Sequence, residues 1–181
     1  MEITTWYLEQ TAPADLVAVA QPAQPLTIMQ AEQPTPEFSR FLYTAVGGPW
    51  HWRGRLPWTY RRWQEWLGKP GLETWVVYQH GTPAGYAELV PHDDGAIEVN
   101  SFGLLPAFVG KGIGRYFLWW VLDHAWQLTT TRVWLHTCSL DSPHALANYQ
   151  ARGLRVYDIK TGSEDLPDRP PGPWPGAELE R

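Results

Sequence analysis

The chain has 181 residues, 44% of them hydrophobic and 18% charged, with a formal net charge of −5. That length suits one domain with a substantial core, and an acidic chain without a basic run argues against a nucleic-acid surface. A single cysteine, Cys138, rules out an internal disulfide, and six histidines without ligand spacing argue against a metal centre.

Residues 2 to 11 and 26 to 32 carry strand-like runs, joined by Ala/Pro/Gln-rich sequence. Pro34 to Val46 reads as a helix, with Thr35 as N-cap, Phe38, Phe41, Leu42 and Ala45 at helical spacing, and Gly47-Gly48 as its stop. The next stretch, Pro49 to Trp58, is too rich in proline and glycine for regular structure. A second helix follows from Thr59 to Leu67. Twelve tryptophans are unusual, and Trp50, Trp52, Trp58, Trp63 and Trp66 crowd this region. They read either as filling for a helix–helix core or as a lid over a binding cleft.

The middle of the chain is β-rich. Strands are expected at Glu73 to His80 and Ala84 to Val90, with a turn at Gly81-Thr82-Pro83, and a hairpin at Pro91 to Gly95 leads into a strand from Ile97 to Leu105. A long apolar helix covers Gly112 to Gln127, followed by a strand from Arg132 to Ser139. A helix from Pro143 to Arg152 comes next, capped by Asp141 or Ser142 and stopped by Gly153, and Leu154 to Ile159 is a final strand. Residues 1–161 thus form one domain. The Pro-rich tail, 162–181, is expected to be disordered or wrapped on the surface. No basic segment follows Met1-Glu2, and no apolar run approaches the roughly 18 residues a membrane span needs. The cytoplasm is the expected compartment, with no membrane partner.

Chemistry concentrates between the strand ending at Leu105 and the long helix. Gly110, Gly112 and Gly114 alternate there around Lys111. A strand, a glycine-rich turn and a helix N-terminus together form an anion site, because glycine lets backbone approach a ligand and the first helical turn offers unpaired N–H groups. A Walker A loop fails, since Lys111 is followed by Gly112, and the spacing is not that of a dinucleotide fingerprint.

The segment Val109-Gly110-Lys111-Gly112-Ile113-Gly114 resembles the acetyl-CoA loop of the GNAT superfamily of N-acetyltransferases, [QR]xxGx[GA], with Val109 where glutamine or arginine is usual. Downstream, Tyr149-Gln150-Ala151-Arg152-Gly153-Leu154 resembles the family's Tyr-x-x-x-Gly-Phe ending, with leucine in place of phenylalanine. The resemblance covers roughly residues 73 to 160. It implies an α+β sandwich with a mixed, mostly antiparallel central sheet flanked by helices. It also implies acetyl-CoA as co-substrate, no metal, and a small-molecule amine as acceptor, and it leaves room for a homodimer.

Carried over by position, the resemblance implies backbone contacts to pantetheine at Phe102, Gly103 and Leu104. Phosphates are expected on Val109, Gly110, Lys111, Gly112, Ile113 and Gly114, with Arg115 nearby and Asn148 as a further cofactor contact. Tyr149 is the expected general acid at the thiol, unless it only packs helix against sheet. Glu98 is the first candidate for the base. Glu88, His136 and a water chain are the alternatives, and two close carboxylates would raise one pKa. Arg53, Arg55, Arg61 and Arg62 disfavour a polycation and fit a carboxylate on the acceptor. A non-catalytic acyl-CoA-binding module is the competing reading.

Overall fold

Two threonine caps start the first helices. In α1 (Pro36–Gly47) the Thr35 side chain accepts from the Phe38 N–H at 3.2 Å, and in α2 (Tyr60–Leu67) Thr59 accepts from Arg62 at 3.2 Å. The third helix, α3 (Ile113–Leu128), buries Ile113, Phe117, Leu118, Val121, Leu122 and Ala125, the stripe that a 3.6-residue period places on one face. A short α4 (Ala145–Ala151) follows. The computed structural model describes residues 1–167 and 170–172.

Among the described residues, seven strands make one sheet: β1 (Glu2–Gln10), β2 (Thr27–Gln30), β3 (Glu73–Gln79), β4 (Thr82–Pro91), β5 (Ile97–Leu104), β6 (Val133–Cys138) and β7 (Arg155–Ser163). Their order is β2-β3-β4-β5-β6-β1-β7. Only β5 and β6 run parallel; every other neighbouring pair is antiparallel. The fold is α+β with a mixed, mostly antiparallel sheet. Its N-terminal strand lies between β6 and β7, so the two ends of the domain are knitted together.

Both faces of the sheet are covered. Alternating residues of β4 serve two clusters: Tyr86 packs with Val76, Leu42 and Val46 beneath α1, while Ala87 and Leu89 face Phe117, Leu118, Val121 and Leu122 of α3. This division explains why the central strands read as nearly continuous apolar runs.

Three local expectations need correction. The β3–β4 turn is His80-Gly81, whose positive φ values of 49° and 80° suit a two-residue hairpin, and Pro83 lies inside β4. Asp141 and Ser142 do not cap α4, which starts at Ala145 with no side-chain cap; the Asp141 carboxylate binds Thr137 Oγ1 at 2.7 Å and the Cys138 N–H at 3.0 Å instead. The last strand extends to Ser163 because β1 pairs along its whole length, so the sheet takes in the first residues assigned to the tail. Beyond it, the Gly172 N–H reaches the Gly48 carbonyl at 3.3 Å. Tail residues 168–169 and 173–181 lie outside the described residues.

Gly153 ends α4 at φ +88°, and a Cβ there would lie 1.8 Å from the Asp15 carbonyl oxygen. Gly153→Ala combines left-handed strain with a backbone clash and should cost at least about 2 kcal/mol. For a domain of this size that lowers the melting temperature by about 4–8 °C. An unchanged melting temperature would mean that the segment at Asp15 does not pack there in solution.

Candidate active site

The parallel pair β5–β6 is joined only at Ile97↔Val133 and Glu98↔Trp134. Beyond these positions β5 continues to Leu104 and β6 to Cys138 without pairing to each other. The cause is local. In the β4–β5 ladder Glu88 faces Ser101 and Leu89 faces Val99, which leaves Asn100 without a partner. One extra residue in one strand is a bulge, and a bulge bends its strand and re-aims its side chains. Between the diverging strands opens a cleft of about 910 Å³, lined by residues 99–104 on one side and Leu135, His136 and Cys138 on the other.

One end of the cleft is built for an anion. Gly110 and Gly112 have φ values of +81° and +78°, a region natural for glycine and strained for other residues. Gly112 is the N-cap of α3 and supplies no side-chain cap, so the first-turn N–H groups face the cleft wall formed by Val109, Gly110, Gly112, Gly114 and Arg115. The Arg115 guanidinium lies over Gly112. Arg152 is pulled below its ordinary pKa by burial and by the charge of Arg115, which places two guanidiniums near this end. These features fit a polyphosphate. Lys111 turns onto the Phe108 ring at 5.2 Å, and the Ile113 side chain is buried in the core, so Ile113 can offer only its backbone.

Phe102, Gly103 and Leu104 lie on the open edge of β5, and Asn148 and Tyr149 approach from α4. Tyr149 is buried against Phe102, ring centroids 6.3 Å apart. Burial and the nearby Asp141 charge push its phenol well above the ordinary tyrosine value. It therefore carries its proton at neutral pH.

Glu98 is set back from the cleft wall. Its Oε2 is 2.8 Å from His92 Nε2, its Oε1 accepts from Asn100 Nδ2 at 3.1 Å, and His136 Nδ1 is 3.6 Å from Oε1. Burial alone would raise its pKa, but the nearby His136 ring and the hydrogen bonds with His92 and Asn100 outweigh it and hold the carboxyl below its ordinary value. Glu88 and Glu98 do not form a close carboxylate pair that would raise one pKa. The register puts both glutamates on one face, but Glu88 is claimed by Arg55, whose Nη1 lies 2.6 Å from Glu88 Oε2.

Arg55 also changes the reading of the tryptophan cluster. Its guanidinium lies 4.5 Å from the Trp66 ring centroid, 5.1 Å from Trp58, 5.5 Å from Tyr43 and 5.7 Å from Trp63. The aromatic box thus holds the protein's own cation. Trp63 is core; Trp50, Trp52 and Trp58 line the cleft. Arg55 Nη2 donates to Asn100 Oδ1, so one chain of contacts runs from Glu88 through Arg55 and the bulge residue to Glu98. Sequence reasoning missed Asn100 and His92 and read Asp141 only as a helix cap. The one signal for Asn100 was an uncharged polar residue inside an apolar strand.

Residues 35–154 match the sequence model of the acetyltransferase (GNAT) family. Among solved structures, the chain is similar to a GCN5-related N-acetyltransferase from Kribbella flavida (18% identity, TM-score 0.62), covering 87% of this chain and 56% of that one. It is also similar to a GCN5-related N-acetyltransferase from Sphaerobacter thermophilus (19%, TM-score 0.64), covering 87% and 49%. A third is a Bacillus subtilis acetyltransferase in complex with CoA (17%, TM-score 0.57), covering 74% and 79%. The chain spans about half the length of the first two. No curated protein matches it.

The buried pair offers a direct test of the site's framework. Arg55→Met strands a buried carboxylate and should cost about 3–5 kcal/mol, whereas Arg55→Met with Glu88→Met should recover most of the loss. Equal losses in the single and double variants, measured by chemical denaturation, would show that the Arg55–Glu88 contact is not made in solution.

Proposed function

The chain belongs to the acetyltransferase (GNAT) family, and on that premise we propose that it transfers the acetyl group of acetyl-CoA to the primary amine of a small molecule that also carries a carboxylate. The observation that carries the acetyl-CoA part is the pair of unpaired strand edges opening directly onto the glycine-rich anion site. Strand edges present rows of N–H and C=O groups. The amides of pantetheine are matched to those rows, and its pyrophosphate to the first turn of α3. Phe102, Gly103 and Leu104 then hold the arm through backbone, while Val109 to Arg115 and Asn148 hold the nucleotide end.

In the reaction a C–N bond forms and the C–S bond breaks; the acceptor ammonium gives up two protons in becoming an amide, and the leaving thiolate gains one. Tyr149 lines the cleft with a phenol that stays protonated, and we assign it the proton that the thiolate gains. No helix among the described residues is long and apolar enough to cross a membrane.

The nature of the acceptor is read from charge. Arg53 and Arg62 line the cleft, and no carboxylate among the described residues pairs with either; Arg62 rests on the Trp58 ring at 4.8 Å. Arg61 points away into a pair with Glu65 at 2.8 Å. Glu88 is neutralised by Arg55, and Asp141 is committed to Thr137, Cys138 and the Trp52 indole. Among the described acids near the cleft, Glu164 alone keeps an unengaged carboxylate. A polyamine would meet more cations than anions here, whereas a carboxylate can be gripped in bidentate fashion by a guanidinium.

Two measurements test this. Acetyl-CoA at about 100 times its Kd should stabilise the protein by about 2.7 kcal/mol. Gly112→Asp should abolish that shift, while Gly112→Ala, with the same φ strain but no charge, should keep part of it. A full shift in Gly112→Asp would remove the loop from the cofactor site. In a thiol-release assay over an amine panel, carboxylated amines should exceed polyamines in kcat/KM, and Arg53→Ala with Arg62→Ala should raise KM for the former by about 10- to 100-fold. Tyr149→Phe should lower kcat by about 10- to 1,000-fold. A preference for polyamines would contradict the assignment.

A further inference from the structure

The acceptor must give up a proton inside the cleft, and the carboxylate first expected to take it does not reach the cleft wall. His136 does. Its side chain is 44% exposed, it lines the cleft on the open edge of β6, and its Nδ1 is 3.6 Å from Glu98 Oε1. With Nδ1 turned to a carboxylate, the neutral imidazole carries its proton there and leaves the Nε2 lone pair free. Among the described residues nothing hydrogen-bonds Nε2.

We infer that His136 is the general base of the acetyl transfer and that Glu98 is its positioning residue, fixing the ring and its tautomer and supplying the counter-charge for the imidazolium. This rests on the acetyltransferase reading of the cleft. One proton passes from the acceptor ammonium through His136 Nε2 to water; the freed amine adds to the thioester carbonyl, and the adduct nitrogen gives a second proton to His136 Nε2; the C–S bond breaks and the thiolate takes the Tyr149 proton. His136 thus delivers two protons to water in all and Tyr149 regains one, so one proton is released per acetyl group moved.

The surroundings of Glu98 fit this supporting role. His92, 38% exposed, holds the other carboxylate oxygen at 2.8 Å and is itself braced against Trp134, ring centroids 5.3 Å apart. Asn100, pinned by Arg55, takes the remaining lone-pair direction of Oε1. A carboxylate engaged on three sides is a weak base and a firm anchor. Its pKa lies below the ordinary value, in keeping with a group that stays ionised throughout the cycle.

The groups that face His136 are few. Glu98 approaches from β5 and Tyr7 from β1, ring centroid at 5.8 Å, with Lys160 of β7 on the Tyr7 ring at 4.7 Å. Trp134 flanks it on its own strand at 6.5 Å. Arg55 and Asp141 lie elsewhere on the cleft wall, both already paired. Glu164 lines the cleft near Cys138, and among the described residues Glu98 is the one carboxylate that pairs with His136.

The test is the pH dependence of thiol release by the full chain, with the best amine of the panel, for wild type, His136→Gln and Glu98→Gln. His136→Gln should lose about 100-fold or more in kcat/KM at neutral pH. Its melting temperature and its response to acetyl-CoA should stay unchanged, and the deficit should shrink at high pH, where the free amine is abundant. Glu98→Gln should fall less and move the acid limb of the profile to lower pH, because the imidazolium loses its counter-charge. Imidazole nitrogen spectra of wild type should place the neutral-state proton of His136 on Nδ1. Activity of His136→Gln within about threefold of wild type, or an unmoved acid limb in Glu98→Gln, would overturn the assignment while leaving the acetyltransferase reading intact. A proton on Nε2 would do the same. A wild type inert towards every amine would overturn both.

Discussion

The separation of β5 from β6 is the constraint on which the rest of this molecule depends. Parallel neighbours gain from continuing their ladder, so two strands that pair at two positions and then diverge must be held apart. Asn100 begins the divergence from the β5 side by adding one residue that β4 does not match. On the β6 side, Asp141 caps the departing strand by accepting from Thr137 Oγ1 and the Cys138 N–H. The open edges that result are a liability anywhere else in a sheet. Here they lead to the start of α3, where the backbone again offers unpaired N–H groups.

A second theme is how the protein disposes of charge on the same face. A cluster of indoles beside buried glutamates invites a cationic ligand, and the chain supplies that cation itself as Arg55. The guanidinium neutralises Glu88, lies against Tyr43, Trp58, Trp63 and Trp66, and steadies Asn100. One residue thus ties the loop after α1 to the bulge that opens the cleft. A buried ion pair adds little net stability over an apolar substitute. Its value here is positional: it holds Asn100, and Asn100 holds Glu98.

Much of this was legible in the residues. The apolar stripe from Ile113 to Ala125, the two threonine caps and the Gly110–Gly114 loop carry local signals, because a helix face, a cap and a positive φ are decided within a few residues. The element order and the sheet class followed from them. The β4–β5 register did not, since a bulge shifts pairing by one residue without a signature in composition. The place of β1 between β6 and β7 is a long-range choice, and so is the capture of Arg55 by Glu88, 33 positions away. Asp141 illustrates the same limit. Beside a helix start it reads as a cap, yet its carboxylate is better satisfied by the end of β6.

The most direct measurement of the central claim is residue-resolved amide hydrogen exchange with and without acetyl-CoA. The gap-facing amides of residues 100–104 and 135–138 should exchange freely in the unliganded protein, while their neighbours facing β4 and β1 stay protected. Saturating acetyl-CoA should slow the gap-facing set by about tenfold or more. Protection of these amides before any ligand is added would mean that β5 and β6 close into a continuous ladder. Protection that appears elsewhere on binding would mean that the cofactor does not lie between them.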